Sequence, residues 1–247
     1  MRKRVLGFAL FLALCGCGKD PVLPPSLGEL APVSEGEQVE HEFFKLAYSE
    51  ENEQALWVFY RLTVDMVSGN VERTDDFRED PLVSTKSASL DDYKGSGYDR
   101  GHLCPAASMS YNSTSMSESF YMSNMSPQAP SCNRGKWKSL ETAVRNWVKT
   151  EDTLWVVSGP IFKDDMGQIG ENKVTIPGYY YKVVYDPTDT SKMIAFIMPN
   201  AKMPNDIEFY AVSVDQVEQE TGIDFFPGLP DDMENKLESS FDFSAWE

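Results

Sequence analysis

The sequence predicts an α+β fold built on an antiparallel or mixed sheet, and three observations predict it. Several stretches have the aromatic and β-branched density of strands. One stretch repeats apolar residues at helical steps. The two textures interleave without the regular rhythm of a parallel strand–helix–strand array. In chain order, "QALWVFYRLTVDMV" (54–67) is the first strand candidate. "NRGKWKSLETAVRNWVKT" (133–150) is the clearest helix, because Trp137, Leu140, Glu141, Val144, Trp147 and Val148 recur at three- and four-residue steps and share one face. Glu141 stands on that otherwise apolar stripe, where a charge costs free energy unless it is paired or hydrogen-bonded. "DTLWVVSGPIF" (152–162) reads as a buried strand closed by a turn at Gly159-Pro160. "KVTIPGYYYKVVYD" (173–186) and "KMIAFIMPN" (192–200) read as further strands, and "DQVEQETG" (215–222) as a short helix stopped by Gly222.

A content of 41% hydrophobic and 12% aromatic residues in 247 excludes disorder of the whole chain and suits one mid-sized domain with tails. The net charge of −17 excludes broad adhesion to nucleic acid or anionic lipid. The charge is uneven, however. Between Lys86 and Lys149 eight Lys/Arg face five Asp/Glu, a local +3 that leaves −20 for the rest. An acidic shell therefore surrounds a slightly basic centre.

The N-terminus reads as a targeting segment. "MRKR" is a basic start, "VLGFALFLAL" is an apolar run too short to span a bilayer, and "LCGC" (14–17) follows. The ending resembles the lipobox of bacterial lipoproteins, which implies lipidation of Cys17 and an exported, membrane-anchored protein of the bacterial envelope. A buried N-terminal helix is the alternative. Residues 18–40, rich in Pro, Gly and acids, read as a flexible tether, leaving 41–247 as the folded domain. Cys104 and Cys132 then remain as an even pair in an oxidising compartment, a candidate disulfide worth roughly 3–4 kcal/mol by chain entropy. Two separate buried thiols are the other reading.

Taken singly, the polar residues near the basic centre have bland roles. Asn124 in "NMSPQ" suits a turn, Asn133 suits a helix N-cap, Arg100 can pair with Asp99, and Glu141 can pair with Arg145. Their ordered combination is more specific. "DRGH" (99–102), "FYMSNMSPQ" (120–128) and "NRGKWKSLE" (133–141) follow one another with 22 residues from His102 to Asn124, 9 to Asn133 and 8 to Glu141. Together with "FREDP" (77–81), "DYKGSGYDRGH" (92–102), "WVVSGPIF" (155–162) and "TGIDFFPGLP" (221–230), this resembles the DNA/RNA non-specific endonuclease family over roughly residues 40–235.

The resemblance implies a ββα-metal (His-Me finger) fold and hydrolysis of phosphodiester bonds in DNA and RNA, gripped through the phosphate backbone. It implies that His102 is the general base and that Asn133 is the only direct protein ligand of a magnesium ion, for which manganese can substitute. Glu141 would hydrogen-bond the metal's waters, and Asn124 would help orient the catalytic groups and the scissile phosphate. Arg100 would donate to the phosphate. An upstream arginine is also implied, for which Arg73 in "NVERTDDF" is chosen over Arg78. The expected ends are 5′-phosphate and 3′-hydroxyl, and a homodimer is among the assemblies implied. Two positions depart from the family pattern: Cys104 stands where a small uncharged residue is usual, and Ser108 where Asp is frequent. Two other functions stay open: a nucleic-acid-binding lipoprotein that cuts weakly, and a phosphodiesterase confined to small nucleotides. His41, the second histidine, has no motif around it.

Overall fold

The computed structural model describes residues 30–188 and 191–247; the targeting segment and Cys17 lie outside these residues. In chain order the strands are β1 (Glu37–Glu40), β2 (Lys45–Ser49), β3 (Gln54–Thr63), β4 (Asp99–His102), β5 (Met125–Gln128), β6 (Thr153–Ile161), β7 (Gln168–Ile169), β8 (Val174–Thr175), β9 (Tyr179–Asp186), β10 (Lys192–Pro199) and β11 (Ala211–Val212). The α-helices are α1 (Val64–Ser68), α2 (Leu90–Tyr93), α3 (Ser113–Glu118), α4 (Pro130–Cys132), α5 (Lys138–Glu151), α6 (Val214–Thr221) and α7 (Asp231–Glu238). Seven strands form one sheet in the order β1-β2-β3-β6-β9-β10-β11, with every neighbouring pair antiparallel. β4 and β5 form a separate antiparallel ribbon.

Both faces of the large sheet are covered, which is why its strands read as continuous apolar runs rather than alternating ones. Val58, Tyr60, Val156, Val184 and Ile194 face a core completed by Trp137, Leu140, Val144, Trp147 and Val148 around α5. Their chain neighbours Trp57, Phe59, Trp155, Val157, Val183 and Ala195 face a second core closed by Val214 and Val217 of α6 and by Phe225 and Phe226. The ribbon is mounted on the first face by polar contacts. The Ser126 hydroxyl bonds Gln54 Oε1 at 2.6 Å, Tyr180 Oη donates to Pro127 O at 3.0 Å, and Asn200 Nδ2 donates to the same carbonyl at 2.9 Å.

Several expectations are corrected. The segment read as tether is folded from residue 30: Leu30 is fully buried, Val33 bridges Asp224 and β1 pairs with β2. Composition averaged over the segment hid a few apolar residues with specific partners. The strand expected over 54–67 stops at Thr63, whose hydroxyl caps α1 by accepting from the Met66 N–H. The turn expected at Gly159-Pro160 lies inside β6. Pro160 is tolerated because pairing with β3 ends at Ser158, and Gly159 is required because a Cβ there would lie 2.3 Å from Leu56 O. The helix expected from 133 begins with a wide π-helical turn, Asn133–Trp137, broken at Gly135 (φ −101°, ψ −123°), before α5 proper.

His41 has a structural task. Its Nε2 lies 2.8 Å from Asp80 Oδ2 with both side chains buried, and its ring stacks on Tyr121 at 4.9 Å. Asp80 also accepts from Ser123 Oγ and from the Leu82 N–H. These bonds hold its carboxyl below the ordinary aspartate value against the opposing effect of burial. We expect His41→Ala to cost about 3 kcal/mol, because it strips one partner from a buried carboxylate. A depressed folded pKa contributes stability above the unfolded value and loses it as pH falls through the folded one. Urea midpoints of wild type and variant should therefore converge below about pH 4. Equal midpoints at pH 7 would exclude this role.

Candidate active site

The sequence DRGH forms β4 and presents His102 between two aromatic rings. Its ring centroid lies 5.1 Å from that of Phe120, edge to face, and 5.8 Å from that of Phe77. The residue is 8% exposed, and Nε2 is buried with no hydrogen-bond partner. Burial first, then the charges of Arg73 and Arg100, pull its pKa down to about 3. The imidazole is therefore neutral at pH 7, the form able to accept a proton.

Arg73 and Arg100 flank this ring and lean on the same aromatics. The Arg100 guanidinium lies 4.0 Å from the Phe77 centroid, and that of Arg73 lies 4.7 Å from the Phe120 centroid. Arg100 does not pair with Asp99, and its guanidinium makes no hydrogen bond among the described residues. Arg73 gives its Nε–H to Asp75 at 2.7 Å and is half exposed. Arg78, the rejected alternative, instead packs on Tyr121 at 4.0 Å and bonds Asp76 and Ser117 O.

Asp99, the first residue of the same motif, organises the next group. Its Oδ2 accepts from Asn133 Nδ2 at 2.9 Å, while Arg134 donates to both of its oxygens. Asn133 is thus no N-cap: it has helical dihedrals, and its amide nitrogen is spent on Asp99. Its Oδ1 is left without a protein partner among the described residues. The π-helical turn that carries it is a local widening of the kind that re-aims side chains at functional sites. Trp137 closes the turn, with its indole N–H 3.4 Å from His102 O.

Glu141 follows on the first turn of α5. It is half-buried and makes neither an ion pair nor a hydrogen bond among the described residues. Arg145, its expected partner, bonds Thr142 instead. Burial raises the Glu141 carboxyl, while Lys182, Arg145, Arg73 and Lys138 oppose the rise. Lys182 is a feature the sequence concealed. It is fully buried on β9, with its ammonium 4.7 Å from the Trp137 ring centroid and bonded to Ser158 Oγ; burial lowers its pKa to about 8. It reads as one more residue in an apolar strand, and only the sheet register turns it toward Trp137.

Asn124 holds the chain beside His102, and only the expected reach to the phosphate is corrected. All of its amide capacity is spent on backbone: Oδ1 accepts from Cys104 N at 2.8 Å, and Nδ2 donates to Cys104 O at 2.9 Å and Ser119 O at 2.8 Å. Fully buried and saturated, it braces the chain just beyond His102 and has no group left for a phosphate. The disulfide expectation is corrected too. Cys104 and Cys132 are separate buried thiols; burial raises both, Cys132 to about 12.

The donors suit a hard metal ion. An amide oxygen with no protein partner and an unpaired, half-buried carboxylate are groups left wanting a cation, and both are oxygen donors of the kind magnesium prefers.

The model of the DNA/RNA non-specific endonuclease family matches residues 29–232. The chain belongs to that family. A nuclease of Nostoc sp. is 34% identical over 212 residues, 81% of this chain and 76% of that protein. Human mitochondrial endonuclease G is 32% identical over 204 residues, 76% of this chain and 69% of that one. A chain in the crystal structure of the EndoG/EndoGI complex superposes with a TM-score of 0.76 at 31% identity, covering 84% of this chain and 94% of that one. The ribbon β4-β5 and helix α5 thus constitute the ββα-metal fold of these nucleases.

Proposed function

We propose that this chain is a divalent-metal-dependent endonuclease that hydrolyses phosphodiester bonds of DNA and RNA with His102 as general base. The observation that carries the proposal is a neutral, unpartnered imidazole flanked by two arginines. In this reading, Arg100 and Arg73 hold the phosphate by charge-assisted hydrogen bonds and favour the negative charge that builds on it. His102 takes the proton of the attacking water. The Phe77 and Phe120 rings fix the imidazole plane and keep bulk water from its buried edge. Asn133 and Glu141 would hold magnesium, which when bound supplies Lewis acidity for the leaving 3′ oxygen. The products then carry 5′-phosphate and 3′-hydroxyl ends. All of these groups address backbone and none a base edge, so cutting is indifferent to sequence. The N-terminal segment, which lies outside the described residues, is proposed as an export signal with Cys17 as its lipid attachment point.

The test is nicking of supercoiled plasmid by a soluble form beginning at Gly18. Magnesium should support cutting, EDTA should abolish it, and added magnesium should restore it. Restored cutting of plasmid and RNA alike supports the proposal. A folded protein that cleaves dinucleotides but no plasmid would replace it with the small-substrate reading. Unchanged cutting in EDTA would remove the metal from the mechanism.

A further inference from the structure

On the sheet face away from His102, two helices bring three carboxylates together. Asp215 and Glu218 lie three residues apart on α6, a spacing that puts them on one helix face. Glu238 is the last residue of α7. One oxygen from each lies within 4.8 Å of the other two. Met233 and Leu237 pack α7 against the core that contains Val214 and Val217, which brings the two helices together.

Acidic groups gather on many surfaces without an ion, but a second observation sets this one apart. Glu238 is only 5% exposed, and its Oε1 is buried with no hydrogen-bond partner. A buried carboxylate is normally paired or bound to metal. Here no lysine or arginine forms an ion pair with Asp215, Glu218 or Glu238 among the described residues. Glu234 adds another buried, unpartnered oxygen. Burial and the neighbouring acids, Glu218 foremost, push the Glu238 carboxyl up to about 9. Glu218 has Oε1 engaged by the Phe225 N–H at 3.0 Å, which fixes its rotamer.

We propose that Asp215, Glu218 and Glu238 form a second divalent-cation site, taking calcium, that locks α7 onto α6. Three hard oxygen donors with no competing cation supply the charge. Oxygens that each sit 2.3–2.6 Å from one calcium can be up to about 5 Å apart, which accommodates the cluster. Calcium tolerates irregular geometry and completes its shell with water, whereas magnesium demands a near-ideal octahedron that carboxylates from two helices do not impose. The site is remote from the hydrolytic centre and does not depend on the function proposed for it. Its effect is to pin the segment leading to the C-terminus, where Trp246 packs on Trp147 at 5.0 Å.

The test is thermal unfolding of the full-length protein in EDTA, in calcium and in magnesium, for wild type, Glu238→Gln and Asp215→Asn. With an affinity of about 10⁻⁴ M, calcium at a hundredfold excess should raise the wild-type midpoint by about 5 °C more than that of either variant. Glu238→Gln should unfold close to the wild-type temperature in EDTA, because a carboxyl pushed up to about 9 is already protonated at pH 7 and the amide replaces one neutral group by another of the same shape, and this confirms that the variant folds. Exposed Asp215 provides the second, milder variant. Both variants should nick plasmid in magnesium at the wild-type rate. A wild-type midpoint indifferent to calcium, or a calcium shift undiminished in both variants, would overturn the site. A difference between wild type and variants that is as large in magnesium would overturn the choice of calcium.

Discussion

Cleavage of plasmid by His102→Ala is expected to fall by about 10³-fold, within the range for losing a positioned general base. No other group beside the site can take the proton. The guanidinium groups of Arg73 and Arg100 offer only N–H donors, and the Phe77 and Phe120 rings carry no basic atom. Glu141 is committed to the metal side in the proposed mechanism, so no replacement base stands nearby. The variant should bind DNA and magnesium as wild type does, because neither arginine nor Asn133 leans on the imidazole. Single-turnover rates with saturating metal separate this chemical defect from a binding defect. Cutting at the wild-type rate would mean that the base is misassigned.

The same residue sets a pH signature. With its pKa pulled down to about 3, His102 stays neutral as pH falls through 6.5. The profile of kcat/KM, which reports the free enzyme, should therefore show no inflection near the ordinary histidine value. The folded state refuses a proton that the unfolded chain accepts below about pH 6.5, so native stability declines as pH drops from there toward 3. His102→Ala lacks that decline.

The second large effect is on the metal. Asn133→Ala should raise the magnesium concentration for half-maximal cleavage about 100-fold, with the maximal rate approached again in excess metal. Asp99 keeps Arg134 as its partner when the Asn133 amide is gone, so the ribbon and the π-helical turn stay joined. The loss then falls on the free Oδ1 rather than on the fold. An unchanged magnesium requirement would place the ion elsewhere.

How much of this was legible follows from the range of each contact. His102, Asn133 and Glu141 stand in short motifs, DRGH and NRGKWKSLE, whose residue identities and order a linear sequence displays. The buried face of α5 was equally plain, because its period is local. Asn124 was located, but its role depended on counting hydrogen bonds to Cys104 and Ser119, which no spacing reveals. Asp99 stood in view inside the motif, yet its tie to Asn133 crosses 34 positions. His41 and Asp80, 39 apart, give no local signal at all. For Cys104 and Cys132, an oxidising compartment permits a bond but does not bring two side chains together, and no local pattern displays whether they meet.

The cations around Glu141 have a further consequence for the metal-stripped molecule. Arg73, Lys138, Arg145 and Lys182 all act on that carboxylate, and Arg100 stands over Phe77 beside them. In the proposed mechanism the phosphate is held by Arg73 and Arg100, which the chain itself supplies, so chelation is expected to remove the hydrolytic step and leave that grip in place. On that proposal a protein molecule without its ion would be a dead-end competitor that occupies strands it cannot cut. In a mixed population the stripped fraction would then lower turnover by sequestering substrate as well as by being idle, and retained binding without cleavage would be the expected property of the apo form.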